Sequence, residues 1–143
     1  MSGKIDVEVI DARLRELSRR LRRVEAKRPA NIKALVADED LQDILARNLT
    51  LAIQAALDIA HHLCAAHDVM PATAGDAFVQ LARRGLIDHA LADRLVRATG
   101  FRNVLVHEYV VVDWKIVMRV IRTDMRDLAE FGKAVVALLE REP

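Results

Sequence analysis

Cysteine is all but missing from this chain: Cys64 stands alone, so no internal disulfide can staple the fold, which suits a reducing compartment. Aromatic residues make up only 3% of the sequence, and there are 5 glycines and 3 prolines. That scarcity excludes the turn-rich composition of a sandwich or barrel and leaves Leu, Ile, Val and Ala to fill the core. The opening segment MSGKIDVEVIDARL carries acids where a signal peptide needs an unbroken apolar run, and no apolar run reads as long enough to span a membrane. The expectation is a soluble cytoplasmic protein with no membrane partner. Net charge is +1, far from the strong basicity of proteins that hold nucleic acid mainly by electrostatics.

What remains is apolar and periodic. The 143 residues are 52% hydrophobic, the size of one domain with one sizeable core, so residues 1–143 read as a single domain. Val7, Ile10, Leu14, Leu17, Leu21 and Val24 recur at alternating spacings of three and four, which predicts a first helix from Ile5 to Lys27, stopped by Pro29. Asp38 reads as the cap of a second helix reaching His67. Its apolar residues cover more than one stripe, the mark of a central helix. Residues 69–75 read as a loop. Thr73 and Asp76 resemble a helix-start pair, with Asp in place of the usual Glu or Gln, and a short helix runs from there to Arg84, ended by Gly85. Asp88 caps a fourth helix reaching His107. Tyr109 to Val112 reads as an extended connection, and Asp113 opens a last helix, Trp114 to Arg141, with a seam of Met118, Ile121, Met125, Leu128, Gly132, Val135 and Leu139. The fold class expected is all-α: an up-and-down bundle of four long helices and one short one.

Charge is unevenly placed. Arg13, Arg15, Arg19, Arg20, Arg22, Arg23, Lys27 and Arg28 crowd the first helix, either as a phosphate-attracting face or as a solvated one. The most informative stretch is Gly100-Phe101-Arg102-Asn103-Val104-Leu105-Val106-His107-Glu108-Tyr109, a polar cluster at the end of an otherwise apolar helix. RNA can be cleaved by its own 2′-hydroxyl attacking the adjacent phosphorus. That reaction needs a base, an acid for the leaving 5′-oxygen, and positive charge on the phosphorane. Histidine titrates near neutrality, and the planar fork of arginine grips two phosphate oxygens. His107 and Arg102 are therefore the candidate catalytic residues. One chain offers one such pair, so a twofold homodimer with both pairs in one cleft would complete the set.

Geometry adds a constraint. Positions five apart on an ideal helix point about 140° away from one another, so Arg102 and His107 converge only if the last turn loosens. Asn103 shares a face with His107 and could fix the imidazole or contact RNA. Asp58 lies in an apolar stretch and, if buried, needs a partner: His62, one turn on, is the first choice, and a reach to Arg102 and His107 the second. Arg102 itself could simply pair with Asp58 or Glu108. His61, His62, His67 and His89 lack the spacing of a metal site, and no Gly-rich phosphate loop or nucleophile elbow is present. No metal and no cofactor is expected.

Arg, four residues, His, one residue, Tyr resembles the signature of HepT-like toxins in the HEPN superfamily, with Asn103 matching the usual residue after the arginine. The run Arg47-Asn48-Leu49 through Ala56-Leu57-Asp58-Ile59-Ala60-His61-His62-Leu63 is similar to the corresponding helix of that family, and the helix order agrees. The resemblance implies a HEPN-like dimer acting as a metal-independent endoribonuclease toxin on tRNA or mRNA, within a type II or type VII-like toxin–antitoxin pair. It further implies a cognate MNT-type nucleotidyltransferase antitoxin that transfers AMP from ATP to Tyr109. The alternative it leaves open is a non-catalytic HEPN dimer that binds nucleotides or scaffolds a nucleotidyltransferase.

Overall fold

The computed structural model describes residues 4–107 and 111–141. Within them the chain forms α1 (Val7–Ala26), α2 (Ile32–Val36), α3 (Glu39–Ala66), α4 (Asp76–Arg83), α5 (His89–Val106) and α6 (Trp114–Arg141). The four long helices and the α4 turn of helix fall where periodicity puts them. The addition is α2, five residues long, too short to show a period. Its start is marked instead by Asn31, whose side chain accepts from the Ala34 backbone N–H at 2.9 Å, as helix-capping residues do. Leu35, fully buried, anchors α2 against α3 and α6. Burying such a side chain is worth about 1.5–3 kcal/mol.

Local chemistry sets the remaining boundaries. Asp6 caps α1 by accepting from Val9 N–H at 3.2 Å, and Asp38 caps α3 by accepting from Leu41 N–H at 3.0 Å. Ahead of α4, Thr73 Oγ1 accepts from Asp76 N–H at 3.2 Å while Asp76 Oδ2 accepts from Ala72 N–H at 3.0 Å. The exchange resembles a capping box with aspartate serving, but it sits ahead of the helix's N-cap, Gly75, which makes no side-chain capping bond. Gly85 closes α4 in the left-handed region, at φ 72°, where a Cβ would be strained. Asp88 is the N-cap of α5 but makes no side-chain capping bond, so the first turn of that helix lacks the expected support.

Helix α3 is central. Thirteen of its residues are buried, from Leu45 to Ala66, and it packs against all five other helices. One of its stretches is long and apolar enough to cross a membrane, with mean hydropathy 1.3, yet 61% of that window is buried inside the bundle. The expectation that no run has spanning length is corrected to that extent: the sequence interrupts its apolar residues with few charges because neighbouring helices, not solvent, surround them. The core has two lobes. In the larger, Phe78 of α4 meets Phe131 of α6 edge to face, with centroids 5.3 Å apart and planes at 89°, a favourable arrangement of ring quadrupoles. The smaller joins Val24, Leu35, Leu45 and Leu49 to Val117 and Ile121 of α6, and Phe101 and Leu105 of α5 pack against it. In α1, Val7 does not join the apolar seam and is 52% exposed.

Candidate active site

The polar cluster sits where α5 ends. The helix stops at Val106, and His107 follows with φ −91° and ψ 103°, an extended backbone. Its N–H reaches back three residues to Val104 O at 3.3 Å, so the terminal turn is tightened rather than continued. The helical azimuth that separates positions five apart therefore no longer binds His107. The side chain of His107 is exposed, whereas Arg102 is half-buried against α3.

Arg102 is held by two amide oxygens. Its Nε and Nη2 donate to Asn103 Oδ1 at 3.3 and 2.7 Å, and its Nη1 donates to Gln54 Oε1 on α3. Three of the five guanidinium N–H groups are so engaged, and both acceptors are neutral, which leaves the full positive charge for a phosphate. Asn103, expected to serve the imidazole or RNA, thus has its oxygen on the arginine.

Asp58 is not paired with His62. The His62 Nε2 instead accepts from the Asp6 backbone N–H at 3.1 Å, tying the start of α1 to α3. Asp58 turns toward the opposite neighbour on its helix: its Oδ1 accepts from Gln54 Nε2 at 2.8 Å, and its Oδ2 lies 3.8 Å from Arg13 Nε. Arg102 and Asp58 therefore meet through Gln54 rather than directly. Gln54 was not singled out in the sequence, because an amide in an apolar run carries no charge to attract notice. Its spacing of four from Asp58 was the available signal. Glu108 and Tyr109, two of the residues considered for the motif, lie outside the described residues.

Beside the motif, Ala46, Arg47, Thr50, Leu51, Leu105 and Val106 line an open hollow of about 460 Å³ between α3 and α5. Val104 and Val106 are 42% and 52% exposed, an apolar rim around the polar cluster. The basic residues in and just after α1 are partly committed to pairs. Arg15 bonds Asp11 at 2.8 Å, Arg20 bonds Glu16 at 2.6 Å, and Arg28 lies 3.2 Å from Glu25. Arg20 also donates to Asn48 Oδ1 on α3 at 3.0 Å, and the Arg20 hydrogen bond holds the Glu16 carboxyl below its ordinary range. These are structural pairs on a solvated face, while among the described residues Arg19, Arg22, Arg23 and Lys27 make no ion pair. Among the described residues, no group of three His, Cys, Asp or Glu side chains converges as metal ligands would.

A family model described as ribonuclease HepT-like matches residues 11–135. The mRNA nuclease HepT of Shewanella oneidensis is 34% identical over 101 residues, covering 70% of this chain and 76% of that protein. The tRNA nuclease HepT of Aphanizomenon flos-aquae is 29% identical over 110 residues, covering 76% of this chain and 75% of that protein. Among solved structures, the tri-AMPylated Shewanella oneidensis HEPN toxin in complex with MNT antitoxin matches with a TM-score of 0.83 at 28% identity, over 90% of this chain and 97% of that one.

Proposed function

The chain belongs to the ribonuclease HepT-like family, and on that basis we propose that it is a cytoplasmic, metal-independent endoribonuclease, the toxin of a toxin–antitoxin pair. The observation that carries this reading is the charge-preserving hold on Arg102 near the end of α5, five residues before His107. A guanidinium oriented by neutral acceptors is suited to a phosphorane, which gains negative charge as the 2′-oxygen bonds to phosphorus. His107 takes the 2′-hydroxyl proton. The P–O5′ bond breaks, and the departing 5′-oxygen receives a proton from a second acid, His107 of the other protomer in a homodimer. The products are a 2′,3′-cyclic phosphate and a 5′-hydroxyl. The exposed Val104 and Val106 around the motif fit a contact between two copies. Asn103 and Asp58 support the arginine. An MNT-type nucleotidyltransferase partner silences the site by placing AMP on Tyr109.

The test is cleavage of total RNA by the purified protein in EDTA, with His107→Ala alongside and the new ends characterised. Cleavage lost in the variant, with cyclic-phosphate ends, supports the assignment. An inert wild type points to the non-catalytic HEPN reading. Wild-type cleavage by His107→Ala, or dependence on a divalent ion, removes the mechanism.

A further inference from the structure

We propose that Gln54 is a positioning residue for Arg102, holding it from α3 while Asn103 holds it from α5, and that Asp58 acts by fixing which way round the Gln54 amide sits. An amide can face a neighbour with its oxygen or with its NH2 group, and the two choices have opposite hydrogen-bonding character. A guanidinium only donates and an ionised carboxylate only accepts. Gln54 stands between one of each: its Nε2 donates to Asp58 Oδ1 at 2.8 Å, and its Oε1 accepts from Arg102 Nη1. Turning the amide over would set NH2 against guanidinium and oxygen against carboxylate, so both neighbours enforce the same orientation. The far oxygen of Asp58 lies 3.8 Å from Arg13 Nε, so its other side faces a cation.

The arrangement separates two tasks that a direct ion pair would merge. A carboxylate placed on Arg102 would orient it but also compete with the phosphorane for its charge. With an amide interposed, the carboxylate sets direction from a residue away while the guanidinium keeps its charge. Gln54 and Asp58 lie one turn apart on α3, the most buried helix, so the scaffold beneath Arg102 is rigid. The hollow lined by Ala12, Arg13, Glu16, Leu51, Ala55 and both relay residues leaves the α1 side of the pair open to water.

The inference rests on Arg102 serving the phosphorane, so it is tested with and without RNA. Gln54→Glu keeps the size and the acceptor but brings a charge, and Gln54→Ala removes the contact. Both should lower kcat at least about tenfold, the scale of one misplaced charge-assisted bond, with KM changed less than about threefold. Asp58→Ala should lower kcat by itself, yet add nothing in the Gln54→Ala background, because it acts only through that amide. Independent of cleavage, the Arg102 Nη1 protons, which Gln54 accepts, should exchange slowly in the wild type and faster in Gln54→Ala, with melting temperature as the folding control. Wild-type kcat in Gln54→Glu, multiplicative losses in the double variant, or unchanged Arg102 exchange would each overturn the assignment. An inactive wild type with slow Arg102 exchange would instead retain the positioning role and discard the ribonuclease reading.

Discussion

Replacing Arg102 by lysine keeps the charge and removes the geometry, and the structure fixes how much that should cost. Three of the five guanidinium N–H groups are spent on Asn103 and Gln54, leaving two to face a phosphate. The lysine ammonium is a point donor on a flexible stem, and nothing on Asn103 and Gln54 can hold it in a fixed plane. It can offer the phosphorane one bond in place of a fork, so at least one charge-assisted hydrogen bond is lost, about 1.5–3 kcal/mol. That is roughly a 10–150-fold fall in the rate of the chemical step. Arg102→Ala loses the charge as well and should fall further, by no more than about another tenfold. The measurement is single-turnover cleavage of a short RNA at saturating enzyme, with far-ultraviolet circular dichroism as the folding control. Lysine restoring cleavage to within about threefold of wild type would show that the site needs only a positive charge, and the fork argument would be wrong.

Tyr109→Phe should remain an active ribonuclease and resist silencing. Intact-mass spectrometry after incubation with the nucleotidyltransferase and ATP should show added AMP on the wild type and none on the variant, an adduct on the variant removing Tyr109 from that role. Light scattering at micromolar concentration should give a homodimer; a monomer that still cleaves RNA contradicts the shared cleft. Burial pushes the Asp124 carboxyl above its ordinary value of 3.8, opposed by the Thr123 hydrogen bond. Its ionised form therefore weakens the fold as pH rises through that raised value, and Asp124→Asn should raise the melting temperature at neutral pH but not below pH 3.8. Cys64, 1% exposed and with its thiol pushed up by burial, should resist iodoacetamide until the protein unfolds; prompt labelling would show that the α3–α4 core opens locally.

The long helices were legible because their burial is one-sided or complete and their apolar spacing says so. The end of α5 was legible as a chemical oddity: arginine, asparagine and histidine have no reason to finish an apolar helix unless something is to be bound there. The sequence could not resolve which partner a side chain takes when two lie one turn away. Asp58 has Gln54 on one side and His62 on the other at equal spacing, and a charge-based preference selects the histidine. Tertiary structure decides otherwise, because the Asp6 N–H occupies His62 while Arg102 demands an acceptor from Gln54. Short α2 escaped for a different reason, since five residues give no period to detect and only the Asn31 cap announces it. The orientation open to His107 depends on where the helix stops, a boundary that periodicity locates only to within a turn.

The edge-on contact between Phe78 and Phe131 bears on how such a gene is disarmed. The partner ring of Phe78 arrives only with α6, and the smaller lobe likewise takes Val117 and Ile121 from that last helix. A frameshift or stop codon falling after Tyr109 leaves the whole motif encoded yet strips the core of its closing wall. In a library selected for cells that survive expression, inactivating lesions should therefore scatter through the α6 coding region as well as the motif. Reading such a map as a list of catalytic positions would mistake the lid for the lock.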